Sequence, residues 1–229
     1  IIFKDDDNGG GSTSLNGDWY VYKIYNDPDG NGGSWANSDN CAKKTYFSIS
    51  DKKIKHEWYH SEGSECKHTP RYYDYTAANG VFNMTVADDS PYGNKGSTGS
   101  IKYEIKDKEL ILRFKNNRQQ EEIQVLHKKG VDYSYLDPFV GHWKMTKATV
   151  GQTEAIVQEG KCLNGEVVAS SLGFTLYLKA PDKSGQCQTT VETFKWVKEG
   201  NKYYDITDPQ KKEELAFVFS ENNTKLSYS

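Results

Sequence analysis

Cys41 and Cys66 are separated by 25 positions, and so are Cys162 and Cys187, which sets an offset of 121 between two halves of the chain. Other residues fall into the same frame. Tyr73 and Tyr75 map onto Phe194 and Trp196, and Phe82 maps onto Tyr203. Gly17-Asp18-Trp19 has its counterpart in Gly141-His142-Trp143, with a small shift absorbed ahead of the first cysteine. A shared cysteine spacing alone would carry little weight. Joined to the Gly-x-Trp and aromatic matches it marks a duplication, so the chain is expected to fold as two copies of one small domain.

The first copy runs over residues 15–128, residues 129–135 form the joint, and the second copy covers residues 136–229. Residues 1–14 hold Lys4, Asp5 to Asp7 and a Gly/Ser tract, a composition that makes a solvated tether. Four cysteines allow three pairings. The repeat selects Cys41 with Cys66 and Cys162 with Cys187, the alternative being four reduced, buried thiols. Each bridge would stabilise its copy by about 3 kcal/mol in the chain-entropy model, which matters for units with thin cores.

Period-2 alternation dominates and helical periodicity is nearly absent. In the first copy it predicts strands over 17–25, 45–50, 54–60, 71–76, 81–86, 100–105, 110–114 and 123–127. Turn residues such as Asp51-Lys52, Asn79-Gly80 and Lys106-Asp107 separate them. The second copy repeats the pattern but ends one strand early, so its barrel is either open there or completed by a neighbouring segment. The fold class expected is all-β: two tandem small antiparallel meander barrels, each with one internal disulfide. The 16 Tyr, 9 Phe and 5 Trp suit half-buried strands. A net charge of −3, with both signs mixed, gives no sign of a nucleic-acid partner. No apolar run approaches the roughly 18 residues of a membrane span.

The Gly-x-Trp opening the first strand (Gly17/Trp19, Gly141/Trp143), the meander, and a cysteine before the second and fourth strands (Cys41/Cys66, Cys162/Cys187) resemble the lipocalin-like domains of exported lipoproteins of Bacteroidetes-type bacteria. The likeness covers nearly the whole chain after Ser14. It implies a lipocalin-like fold and an extracytoplasmic address at the outer membrane or cell surface. The Lys4-Asp5-Asp6-Asp7 tract also resembles the acidic stretch behind the lipidated cysteine of such proteins. Phe3 stands where that cysteine is expected, so membrane association would run only through a lost N-terminal lipid anchor.

Three candidate sites stand out. His56-Glu57-Trp58-Tyr59-His60 is a formal H-E-x-x-H, which on a helix would bind zinc with Glu57 as general base of a metallopeptidase. Here Ile54, His56, Trp58 and His60 alternate with polar residues as on a strand, where positions four apart lie roughly 13 Å from each other. Two such imidazoles cannot share one zinc. Asp27-Pro28-Asp29-Gly30-Asn31-Gly32 opens like a calcium loop, with Asp27, Asp29 and Asn31 as oxygen ligands, but Ser38 occupies the place of the closing glutamate. Calcium is the one cofactor the sequence raises; the bland reading is a turn-rich loop. Trp35, Trp58, Tyr59, Tyr72 and Tyr92 lack counterparts in the second copy and form a candidate ligand or partner face, unless they fill the barrel. No nucleophile motif, phosphate loop or dinucleotide fingerprint appears, so neither catalytic nor cofactor-binding residues are assigned. The expected function is a non-catalytic interaction module, an accessory subunit of an outer-membrane assembly. The alternative is a barrel that binds a small molecule or glycan, and a zinc metallopeptidase is a distant third.

Overall fold

The computed structural model describes residues 14–28, 30, 32–91, 93–115, 119–158 and 160–228. They form two compact units. The first holds the described residues up to 24 and residues 38–133; the second holds 25–37 and the rest from 134. Nine strands come first: β1 (Gly17–Asn26), β2 (Ser34–Asn37), β3 (Tyr46–Ser50), β4 (Lys53–Glu62), β5 (Glu65–Ala78), β6 (Val81–Val86), β7 (Thr98–Lys106), β8 (Glu109–Lys115) and β9 (Glu121–Lys128). In the first unit β1-β3-β4-β5-β6-β7-β8-β9 follow one another as an antiparallel meander, and β9 also pairs with β1. The barrel is closed, which removes both free edges.

Alternation sets its interior. Trp19, Phe82, Leu110 and Leu126 are shielded to 2% exposure or less, joined by Val21, Phe47, Ile49, Ile54, Met84 and Leu112. Burying each such side chain contributes about 2–3 kcal/mol. Trp19 is also fixed by its indole N–H, which donates to the Leu15 carbonyl at 2.8 Å. Two residues earlier Gly17 has φ +132°, a backbone open to glycine, and a Cβ there would come within 2.6 Å of the Lys128 side chain. The Gly-x-Trp spacing therefore reflects a backbone requirement followed by a core anchor.

The β4–β5 hairpin is longer than alternation predicts. Pairing continues from Lys53↔Asp74 to Glu62↔Glu65, turning at Gly63-Ser64. Cys66, opposite Ser61 near the tip, is bonded to Cys41, Cα to Cα 5.5 Å, so the hairpin end is tied to the segment leading into β3.

The second unit contains β10 (Gly141–Lys144), β11 (Lys147–Val150), β12 (Thr153–Ile156), β13 (Asn164–Ala169), β14 (Phe174–Pro181), β15 (Cys187–Phe194), β16 (Trp196–Glu199), β17 (Lys202–Asp205), β18 (Glu213–Leu215), β19 (Phe217–Ser220) and β20 (Lys225–Tyr228). Only Lys195 separates β15 from β16, and only Ala216 separates β18 from β19, so each pair acts as one bent strand. The meander is then β10, β13, β14, β15–β16, β17, β18–β19, β20, with β11–β12 as a side hairpin. Phe139, Ala169, Phe174, Tyr203 and Leu215 are buried at its centre, with Trp143, Phe194, Trp196, Phe217, Phe219 and Leu226 packed around them. Trp143 repeats the anchor of Trp19: its N–H donates to the Phe139 carbonyl at 2.9 Å, again four residues back. Cys162 and Cys187 form the second disulfide.

Two features settle what the sequence left open or placed elsewhere. Among the described residues no strand of the second unit corresponds to β9, which is the open one of the two outcomes the sequence allows for this copy. Residues 25–37, assigned by the repeat to the first domain, belong to the second unit. Trp35, 3% exposed, has its backbone N–H on Thr175 Oγ1 at 2.7 Å, and its carbonyl accepts from the Tyr177 hydroxyl at 2.6 Å. The Gly33 carbonyl accepts from Thr193 Oγ1 at 2.8 Å. Side-chain partners far along the chain claim this segment, and such partners leave no local trace in sequence.

Candidate functional site: an open seam in the second unit

In the first unit β9 bridges β8 and β1. In the second, among the described residues, β10 is hydrogen-bonded to β13 alone and β20 to β19 alone. Each of those strands therefore turns one edge of N–H and C=O groups to no partner strand. An open edge of this kind is a template for a further strand.

The side chains around the seam are apolar on one face and polar on the other. Phe217↔Tyr228 and Phe219↔Leu226 pair across β19 and β20, so all four share the inward face with the core. Trp143 reaches Phe219 with ring centroids 5.9 Å apart. Tyr228 faces inward against Phe217 at 5.5 Å, yet is 65% exposed. Trp143 is half-buried where Trp19 is fully buried. The outward positions are His142 and Lys144 on β10, and Lys225 and Ser227 on β20. His142 Nε2 lies 3.2 Å from Glu166 Oε2, and Lys225 reaches Glu221 at 3.3 Å. Nearby, Tyr203 donates to Asp137 at 2.7 Å; burial, then that carboxylate, push its phenol pKa upward and hold it as a neutral donor. Strand counting in the sequence locates the absent strand. It does not mark Tyr228 and Trp143 as seam residues, because both read as core.

The H-E-x-x-H residues lie on β4 and do not converge. His56 and His60 are on the inward face, where His56 stacks on Phe47 at 4.2 Å and His60 on Trp58 at 4.0 Å. Glu57 is on the opposite face with its Oε2 2.5 Å from His68 Nε2. Burial, and then Arg71 directly opposite, lower the His56 pKa to about 3, so this imidazole is neutral. Of the calcium loop, Asp29 and Asn31 lie outside the described residues. Asp27 accepts from the Gly32 N–H at 3.3 Å through one oxygen, and its other oxygen is buried without a hydrogen bond from a described residue.

The five aromatics expected to form one face are not brought together. Trp35 is core of the second unit, Trp58 points inward beneath the Arg71 guanidinium at 4.5 Å, and Tyr92 lies outside the described residues. Tyr59 and Tyr72 alone share the outer surface of the first barrel. Tyr59 is there stacked on His68 at 4.5 Å. Alternation puts every second residue on the same face, so near-neighbours in sequence separate to opposite sides of the wall.

A second feature lies at the first barrel's rim. Tyr73, Met84, Val86, Ile101 and Phe114 line a groove of about 270 Å³ beside Gly99. Gly99 stands opposite Met84 on the inward face, and a Cβ there would meet nothing within 4 Å.

No protein-family model matches the chain, and no curated protein does. Solved structures similar to it include two from Bacteroides. An uncharacterized protein from Bacteroides eggerthii shares 17% identity, covering 50% of this chain and 99% of its own, with a TM-score of 0.34. A lipocalin-like protein from Bacteroides uniformis shares 12% identity, covering 50% of this chain and 97% of its own, again with a TM-score of 0.34. Two disulfides place the protein outside the cytoplasm, where thiols oxidise.

Proposed function

We propose that the protein is a non-catalytic interaction module, displayed as a surface lipoprotein and serving as an accessory subunit of an outer-membrane assembly. The observation that supports this reading is the seam: the edges of β10 and β20 that have no partner strand among the described residues, flanked by inward aromatics that water reaches. In this reading the first barrel is the rigid scaffold and the second unit is the contact surface. The test is affinity purification from the source cell with the native protein, Tyr228→Glu and Val218→Glu. Tyr228 sits on the inward side of the seam; Val218, 61% exposed, lies on the outward face of β19. A partner retained by Val218→Glu and lost from Tyr228→Glu supports the function. The same set of proteins with all three sinks it.

A second reading, a carrier of a small apolar ligand or glycan, rests on the groove beside Gly99. Its 270 Å³ falls just under the range of about 300–1,000 Å³ usual for small-molecule sites, which places it behind the seam.

A further inference from the structure

Gly99 lies inside β7, where glycine weakens a strand and contributes no packing. Two ordinary reasons for a glycine are missing here. Its φ is outside the left-handed region, and a Cβ would meet nothing within 4 Å. Neither a turn nor a close approach within the described chain calls for it. What the missing side chain does leave is space on the inward face, opposite Met84. A glycine inside a strand often marks the place where a ligand comes close.

The surroundings say what kind of ligand. Met84 is buried, while Tyr73, Val86, Ile101 and Phe114 are only half-buried, so water still reaches an apolar lining. Lys115, the last residue of β8, is exposed at the same groove and is the one charged residue among its described lining. The carboxylate across from it, Glu121 on β9, reaches Arg113 instead, at 3.7 Å.

We propose that the groove beside Gly99 binds a compact apolar molecule carrying one carboxylate, with its body in the gap and its charge at Lys115; this deepens the carrier reading above and rests on it. Covering the half-buried lining supplies the hydrophobic part of the binding. The gap of about 270 Å³ suits a single ring or a short branched chain, since larger ligands occupy larger sites. Lys115 sets the sign: it attracts an anion and disfavours a cation.

The test uses the full chain with phenylacetate and its neutral counterpart phenylacetamide, followed by protein-observed NMR. The expected result is shift changes confined to residues 73, 84–86, 99–101 and 114–115. The amide is expected to bind about threefold to fivefold more weakly than the acid, as one exposed ion pair allows. Lys115→Gln should bring the two affinities together. Gly99→Leu fills the gap without backbone strain and should weaken both compounds at least about tenfold. Equal affinity for acid and amide in the native protein, with both lost in Gly99→Leu, overturns the carboxylate assignment and leaves the carrier reading standing. No shift changes in the native protein at millimolar ligand, shift changes elsewhere, or native affinity in Gly99→Leu overturns the groove as the site, and the carrier reading falls with it.

Discussion

Trp19 and Trp143 each sit on the first strand of a meander and make the same hydrogen bond, yet one is sealed from water and the other is only half-buried. The difference lies at the far end of the meander. In the first unit β9 returns to β1 and covers the residues beside Trp19. In the second the chain reaches β20 without a described strand to make that return, and Trp143 stays open on one side. A barrel protects its first strand only when its last strand arrives. The same omission leaves Tyr228 on a core-facing position with most of its surface in solvent, where the matching hairpin of the first unit places residues of the β8 core.

The largest effect that sharpens this contrast comes from truncating the two tryptophans. Trp19→Ala is expected to cost about 3–5 kcal/mol, the usual range for a fully packed Trp. Trp143→Ala is expected to cost about 1–2 kcal/mol, since part of its ring is already hydrated. Denaturant titration read by hydrogen exchange of each unit separates the two. Equal losses would mean that the seam is closed in solution and the comparison fails.

Next comes Trp35, which belongs to the first copy by sequence and to the second unit by structure. Trp35→Ala is expected to remove about 3 kcal/mol from the second unit, seen as faster exchange over residues 164–194 with residues 46–60 unchanged. Loss of protection in the first barrel instead would break the division of the chain into these two units.

The smallest effect is a pH dependence confined to the first unit. The His56 pKa is lowered from 6.5 to about 3 in the folded barrel, by burial and then by Arg71. Between those values the unfolded chain binds a proton that the folded chain refuses, so stability falls as pH drops below 6.5. The slope is about 1.4 kcal/mol per pH unit, or roughly 2 kcal/mol between pH 6.5 and 5, less whatever solvent at the barrel mouth relieves. His56→Gln should flatten this step when unfolding is measured at both pH values. The second unit carries Leu176 at the equivalent position in the strand register and should not share it. A step of equal size in the His56→Gln protein would assign the effect to another group.

Much of the fold is legible in the residues. Gly17 and Gly141 announce a backbone that only glycine adopts readily, and the tryptophans two positions on announce the core. Cysteine spacing gives the bridges once the repeat is seen, because Cys41–Cys66 and Cys162–Cys187 preserve one loop length. Alternation assigns Ile54, His56, Trp58 and His60 to one face of a strand, a spacing too long for two imidazoles to share a zinc ion. The candidate aromatic face fails for a related reason. Trp58 and Tyr59 both lack repeat partners, but adjacent residues on a strand point to opposite sides of the sheet and cannot build one surface. The missing strand could be counted in the sequence. The exposure of Trp143 and Tyr228 could not, because it depends on what lies beside them rather than on what they are.

The sequence by itself determined the all-β class, the antiparallel meander and the pairing of the cysteines. All of these are properties of spacing and period, which are written locally. Tertiary structure alone decided that β9 closes the first meander onto β1 and that residues 25–37 join the second unit. It also decided that Tyr228 faces the core while standing in water. Those outcomes depend on which distant edge or hydroxyl a segment meets, and the pairing energy of strands far apart in the chain is set only when the whole sheet has formed.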